Sequence, residues 1–101
     1  MDIKALTDEM HRFVRAQGWY ARESLRPQTL RNLAISLCLE SAEVLENFQW
    51  SEDLRDKREL GAELADVALY LLQIASLADI DLEEAILQKL RHNYQRHWDE
   101  E

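Results

Sequence analysis

The sequence predicts an all-α fold, and three observations support that prediction. The 101 residues include two glycines and one proline, whereas strand-rich folds need a turn about every 8–12 residues. Apolar residues recur at helical spacing in four successive segments. The stretches between them are polar or charged, and the chain contains no internal repeat or low-complexity segment. We therefore expect one domain, residues 1–101, folded as an antiparallel four-helix bundle.

The first two helices are bounded by recognisable capping residues. Helix one is expected over about Ile3 to Gln17, because Gly18 is a typical C-terminal cap. The polar stretch from Trp19 to Gln28 holds the single proline and is expected to be a loop. Helix two should begin near Thr29, an N-cap residue, and end near Trp50.

The second half of the chain should return along helix two and then add one more helix. The charged segment 51–56 is short, so helix three, which contains Leu60 and Ile74, is expected to run antiparallel to helix two. Asp79-Ile80-Asp81 interrupts the apolar pattern. The last helix is then expected over about Leu82 to His97, with Asp81 as its N-cap.

The composition disfavours several classes of protein. Twenty acidic residues against twelve basic ones give a net charge of −8, which disfavours binding to a nucleic-acid polymer. With 47% hydrophobic residues the chain is too apolar for a disordered tail, and its apolar runs fall short of the roughly 20 residues of a membrane span. The start of the chain resembles no targeting segment, so we expect a cytoplasmic protein that binds neither nucleic acid nor membrane.

A chain of this size is also expected to self-associate. It buries about 60–70% of the surface that its unfolded form exposes, so a monomer would have a thin core. A homo-oligomer is therefore the expected state.

Two pairs of carboxylates occupy positions where the helix pattern predicts a partly buried face. Glu40 lies seven residues after Leu33 on the apolar stripe of helix two, and Glu63 has a similar place on the stripe of helix three. Glu43 and Asp66, each three residues further on, flank the same seam. Each helix therefore presents two carboxylates on one side.

These four carboxylates should meet at one level of the hairpin. The pairs Glu40–Asp66 and Glu43–Glu63 are both centred on Asp53, inside the predicted turn. Ionised carboxylates in a partly apolar seam repel one another, and a proton or a cation relieves that cost. A hard divalent ion suits an all-oxygen site, and Mg²⁺ also shares its coordination shell with phosphate oxygens. The alternative is that these side chains tilt outward onto a solvated face.

The last helix offers charge of the opposite sign. Lys89, Asn93 and Arg96 fall at positions i, i+4 and i+7, so one face presents two cations and an amide that could hold phosphate oxygens. A solvated surface face is the alternative interpretation.

Several motifs together resemble one family. Glu40-Ser41-Ala42-Glu43, followed by Glu63-Leu64-Ala65-Asp66, resembles the ExxE…ExxD signature of MazG-like all-α nucleoside triphosphate pyrophosphohydrolases. The run from Glu40 to Trp50 and the later Lys89-x-x-x-Asn93-x-x-Arg96 are similar to the dCTP pyrophosphatase branch. With Gly18-Trp19 and Arg31-Asn32-Leu33, the similarity extends from about Phe13 to Arg96.

The resemblance implies a Mg²⁺-dependent hydrolase that converts a (deoxy)nucleoside triphosphate to the monophosphate and pyrophosphate, in the clearing of the nucleotide pool. It implies that Glu40, Glu43, Glu63 and Asp66 coordinate the metal. Lys89 and Asn93 would lie near the phosphates or sugar, with Arg96 and Asn32 as further substrate-binding candidates. It also implies a homodimer or a dimer of dimers with sites between subunits, and it leaves the base and sugar preference open.

Further roles follow from residue chemistry within that expectation. Trp19 and Trp50 are candidates for stacking on the base, or else core or interface aromatics. Glu43 or Glu46 could accept the proton of the attacking water. A non-catalytic helical dimer, acting as a nucleotide sensor or a protein-interaction module, is the competing hypothesis.

Overall fold

The computed structural model describes residues 1–97, which contain four α-helices and no strand. The helices are α1 (Ile3–Ala16), α2 (Leu30–Glu46), α3 (Lys57–Leu77) and α4 (Leu82–Gln95). The all-α prediction is confirmed, and the loop over 19–28 and the turn over 51–56 both lie between helices as expected.

Each helix begins at a side-chain cap. Asp2, Thr29, Asp56 and Asp81 each accept a hydrogen bond from a backbone N–H two or three residues further along the chain. Such a bond satisfies one of the donors that the first turn of a helix leaves unpaired. The predicted caps Thr29 and Asp81 are confirmed.

Helices α1 and α3 end in the same backbone motif. Gly18, with φ 75°, follows α1, and Asp79, with φ 57°, follows α3. After α1 the N–H of Gly18 donates to the Arg15 carbonyl at 2.9 Å, and the N–H of Trp19 donates to the Val14 carbonyl at 3.2 Å. This Schellman pattern closes the last turn of the helix and requires a left-handed residue, which glycine adopts without strain. The expected end of helix one at Gly18 is therefore explained.

Two helices end earlier than predicted. Helix α2 stops at Glu46 rather than near Trp50, because the Asn47 side chain turns back and its Nδ2 donates to the carbonyls of Glu43 and Val44, both at 3.2 Å. Helix α4 stops at Gln95, and Arg96 has extended backbone with ψ 150°. Arg96 therefore does not share a helical face with Lys89 and Asn93.

The helices are arranged around α3. Helices α1 and α2 pack along it, while α4 contacts it more sparsely. Five apolar side chains form the buried core. They are Met10, Val14, Leu33, Leu72 and Ala75.

A single chain leaves much apolar surface uncovered. Its radius of gyration is 16.5 Å, against about 13 Å for a globular domain of this length. Leu39 is 63% exposed, Leu45 70% and Leu64 50%. The described residues therefore form a thin core, as expected for a lone chain.

Helix α3 corrects the expectation that every apolar run is too short to span a membrane. Its 21 residues have an apolar stretch of mean hydropathy 1.4, long enough to cross a bilayer by length and composition. This stretch contains Glu63 and Asp66, which would be costly in lipid. Helices α1 and α2 pack against it, and 17% of the stretch is buried within the single chain.

Candidate active site

A cavity of about 630 Å³ opens among α1, the 19–28 loop, α2 and α3. Glu40 and Asp66 line it together with aromatic and aliphatic side chains that include Phe13, Trp19 and Leu69. A space of this size with many apolar walls and few polar groups is typical of a small-molecule site. The cavity therefore joins part of the predicted carboxylate cluster to an apolar chamber.

Glu40 is the most unusual group of the site. Its side chain is half-buried, and its Oε2 is buried without a hydrogen-bond partner. Burial raises the pKa of the Glu40 carboxyl, and the hydrogen bond and charge of Glu43 raise it further, followed by the charges of Asp66 and Glu63. A buried acceptor among three other carboxylates needs a proton or a cation.

Asn47 connects the two acidic pairs. Its Nδ2 donates to Glu63 Oε2 at 2.6 Å while it also reaches the carbonyl oxygens of Glu43 and Val44. The bond holds one oxygen of Glu63 in place and bridges the end of α2 to α3. The sequence analysis did not identify Asn47, although an amide four residues after Glu43 at a helix end is a recognisable signal.

The donor set fits a hard cation. The four carboxylates supply only oxygen atoms, and buried Glu40 Oε2 has no other partner. Among residues 1–97 no three His, Cys, Asp or Glu side chains converge closely enough to form a ready metal cluster. The observation that favours a cation here is therefore the buried Glu40 Oε2 without a hydrogen-bond partner.

Trp19 forms an aromatic wall of the cavity. It is half-buried, and its ring meets Phe13 edge-on with centroids 5.6 Å apart and an interplanar angle of 89°. The Arg26 guanidinium lies over the Trp19 ring, 5.3 Å from its centroid. An indole held by an aromatic neighbour and a cation is a rigid surface on which a planar ring can stack.

The amide of Asn32 lies on the same cavity wall. Its Nδ2 donates to the Pro27 carbonyl at 3.0 Å, which ties α2 to the preceding loop. Gln28 and Gln73 also line the cavity, and the sequence analysis identified neither. Gln73 has an apolar pattern on both sides in the sequence, which gave no local sign of a functional amide.

The remaining candidates do not line this cavity within one chain. Trp50 is 83% exposed, and neither Lys89 nor Arg96 belongs to the cavity wall. Glu43 lies beside Glu40 and acts on its charge, whereas Glu46 is exposed at the last position of α2. Glu40, Asp66, Trp19 and Asn32 thus line one cavity, whereas Glu43, Glu63 and the candidates Lys89, Asn93 and Arg96 do not.

Comparisons with known proteins relate the chain to pyrophosphatases. dCTP pyrophosphatase 1 of Mus musculus is 34% identical over 76 residues, which is 66% of this chain and 45% of that protein. The same enzyme of Homo sapiens is 36% identical over 76 residues with the same coverage. The chain therefore spans about half the length of the curated relatives it matches.

A solved structure matches almost the whole chain. A crystal structure of a pyrophosphatase from Archaeoglobus fulgidus has a TM-score of 0.79 and 34% sequence identity, and the match covers 95% of this chain and 92% of that one. A profile of the MazG nucleotide pyrophosphohydrolase domain matches residues 28–99, which include both acidic pairs. The chain therefore belongs to the MazG nucleotide pyrophosphohydrolase domain family.

Proposed function

We propose that this protein hydrolyses a (deoxy)nucleoside triphosphate to the monophosphate and pyrophosphate with Mg²⁺ as cofactor. The observation that carries the proposal is Glu40 Oε2, a buried oxygen without a partner beside three further carboxylates. It lies at the wall of a cavity large enough for a nucleoside. The family match and the names of the relatives support the same reaction.

Glu40, Glu43, Glu63 and Asp66 would hold the metal. When bound there, Mg²⁺ supplies positive charge against the triphosphate and lowers the pKa of a coordinated water. Asn47 fixes Glu63 through its 2.6 Å hydrogen bond, so one carboxylate of the set is oriented in advance. A carboxylate oxygen of Glu43 or Glu46 would accept the proton of the water that attacks the α-phosphorus.

The apolar part of the cavity would hold the nucleobase. Trp19 offers a ring face, and base–aromatic stacking contributes about 1–3 kcal/mol. Arg26, held over Trp19, adds a cation at the same wall. Asn32 uses one Nδ2 hydrogen to bind the loop, so its Oδ1 and its second Nδ2 hydrogen are the groups it can offer to substrate.

Self-association belongs to the same proposal. The open shape of the chain and the exposure of Leu39, Leu45 and Leu64 support a homodimer or homotetramer in which a second copy completes an antiparallel bundle. Because α4 does not line the cavity, Lys89, Asn93 and Arg96 would reach the phosphates in that assembly. Trp50, which is highly exposed, would then contact a second copy.

The remaining parts of the proposal concern the setting in which the enzyme works. The acidic net charge of −8 supports free nucleotides rather than a nucleic-acid polymer as partners. A cytoplasmic location, independence of membranes and a role in clearing the nucleotide pool remain predictions.

Glu43→Gln is expected to lower pyrophosphate release at least about 100-fold with every nucleotide tested, because it removes a carboxylate from the cofactor site. The measurement is pyrophosphate release from the common dNTPs and NTPs, in Mg²⁺ or in EDTA. Glu52→Gln, an identical change at an exposed residue of the 51–56 turn, is the matched control and should behave as wild type.

Other outcomes would decide against the proposal. If no nucleotide is hydrolysed but Mg²⁺ with a triphosphate raises the melting temperature, the protein is a nucleotide sensor. If neither Mg²⁺ nor nucleotide binds, the helical interaction module replaces the enzyme.

A further inference from the structure

A chain of hydrogen bonds runs behind the apolar cavity and joins α1, the 19–28 loop and α3. It contains Ser76, His11, Tyr20, Gln73 and Gln28. Gln73 is 3% exposed and is the one buried polar residue among residues 1–97. Gln73 and Gln28 both line the cavity, so the chain ends at a surface that a ligand would touch.

The direction of the hydrogen bonds at Gln28 and Gln73 follows from one backbone oxygen. The Arg26 carbonyl can only accept, so Gln28 must direct its Nε2 toward it, at 2.7 Å. Gln28 Oε1 therefore faces Gln73, which donates from Nε2 at 2.8 Å. The amide orientation of Gln73 is thus determined by its neighbours.

The other hydrogen of the Gln73 amide is also engaged. Nε2 donates to Tyr20 Oη at 3.2 Å, and Tyr20 Oη forms a further hydrogen bond with His11 Nδ1, 2.6 Å away. His11 Nε2 in turn forms a hydrogen bond with Ser76 Oγ at 2.7 Å. Tyr20 can donate to His11 Nδ1 only when the imidazole is neutral and carries its proton on Nε2.

The electrostatic surroundings of His11 agree with that requirement. Burial lowers the pKa of His11, and the positive charge of Arg15 lowers it further, whereas Asp8 acts in the opposite direction. Tyr20 from the loop and the uncharged Ser76 from α3 are its hydrogen-bond partners. The neutral form that the chain of bonds needs is therefore the favoured form.

The consequence for the cavity is that Gln73 can offer a ligand only its Oε1. Both hydrogens of its amide are engaged inside the protein, and Oε1 is not one of the buried atoms that lack a partner in the described part of the chain. Oε1 is thus the atom of this amide that those two bonds leave unused, on a residue that lines the cavity. An acceptor held in place discriminates strongly between a ligand group that donates a hydrogen bond and one that does not.

We propose that Gln73 is a specificity-determining residue whose Oε1 accepts a hydrogen bond from the exocyclic amino group of a nucleobase, with Gln28, Tyr20 and His11 as positioning residues. The inference rests on the proposed function for the identity of the ligand as a nucleotide. Gln73 would select bases by a functional group, so that a base with an amino group is favoured over one with a carbonyl at the same ring position.

The test compares ligands that differ at that group and at the adjacent ring nitrogen, which accepts a hydrogen bond in cytosine and adenine and donates one in uracil and hypoxanthine. Calorimetry with Mg²⁺ measures the Kd of non-hydrolysable α,β-methylene analogues of dCTP against dUTP and of dATP against dITP. The expected preference is read from the pair, pyrimidine or purine, that has the lower Kd values. In that pair, the analogue with the amino group should have a Kd at least about tenfold lower than the analogue with the carbonyl. Turnover is measured separately, so binding without hydrolysis would contradict the proposed function and leave this inference intact.

Two variants locate the preference in the hydrogen-bond chain. Gln73→Leu, of similar size, should bring the two Kd values of each pair to within about twofold by weakening the amino member. Tyr20→Phe removes the acceptor for one Gln73 hydrogen, which leaves the amide held by Gln28 alone, so the preference should shrink. Tyr94→Phe, at an 89% exposed tyrosine, is the matched control and should leave the preference unchanged.

Equal binding of the amino and carbonyl members by wild type would overturn the inference, as would failure of every analogue to bind. A Gln73→Leu protein that keeps its circular dichroism spectrum and the full preference would also overturn it. If Gln73→Leu does not fold, the Tyr20→Phe result decides, since an unchanged preference in that variant contradicts the positioning role.

Discussion

Replacing Glu40 with glutamine is expected to stabilise the metal-free protein while it abolishes pyrophosphate release. Ionised Glu40 is unfavourable in the folded chain because its Oε2 is buried without a partner and the charges of Glu43, Asp66 and Glu63 repel it. Glutamine keeps the shape, removes the charge, and can donate a hydrogen bond to the adjacent Glu43. The same change removes an anionic oxygen that the proposed cofactor needs.

Both effects can be measured on one preparation. Scanning calorimetry in EDTA at pH 7.5 should show a melting temperature several degrees above wild type, since relief of about 1 kcal/mol shifts a domain of this size by roughly 4–8 °C. Adding Mg²⁺ should raise the melting temperature of wild type but change that of Glu40→Gln much less. Pyrophosphate release should fall at least about 100-fold.

Glu52→Gln is the control variant, because Glu52 is exposed in the 51–56 turn. It is measured at the same protein concentration as Glu40→Gln. It should alter neither the melting temperature nor the response to Mg²⁺. A Glu40→Gln protein that is strongly destabilised would show that Glu40 has a structural partner, and one that keeps full activity would remove Glu40 from the cofactor site.

Introducing charge on the exposed apolar surface is expected to dissociate the assembly. Leu64 is 50% exposed in α3, the helix around which the chain is organised. If a second copy covers it, Leu64→Asp buries an unpaired charge at that interface, which is a strongly unfavourable change. The added negative charge also increases the repulsion between chains of net charge −8.

Light scattering after gel filtration measures the mass of the assembly directly. Wild type should have two or four times the 11.9 kDa mass of one chain, and its melting temperature should rise with protein concentration. Leu64→Asp should have the mass of one chain and a melting temperature independent of concentration. Leu54→Asp places the same change in the 51–56 turn, and a control variant that dissociates equally, or a wild type that is monomeric, would contradict this account.

The fold could be predicted from local signals because those signals act over short distances. Thr29 and Asp81 cap helices through bonds to N–H groups three residues away, and Gly18 adopts the left-handed backbone that its place after α1 requires. The end of α2 was predicted too late, because the apolar pattern continues to Phe48, whereas the helix ends where the Asn47 side chain bonds back to the carbonyls of Glu43 and Val44.

Some residues of the candidate site could likewise be recognised from the sequence, and others could not. The carboxylates Glu40 and Glu63 occupy apolar positions in a regular pattern, so the sequence alone indicated them. Gln73 could not be recognised, because its partners Tyr20 and Gln28 lie 53 and 45 residues away along the chain. Their proximity depends on how α1 and the loop pack on α3, which no short sequence pattern contains.

The proposed reaction is tested most directly by the identity of its products. Phosphorus NMR of a dNTP incubated with the protein and Mg²⁺ should show monophosphate and pyrophosphate in equal amounts, and no reaction when EDTA removes the metal. Diphosphate and inorganic phosphate as products, or pyrophosphate release that continues unchanged in EDTA, would contradict the account of a carboxylate-held cofactor acting on the bond between the α- and β-phosphates.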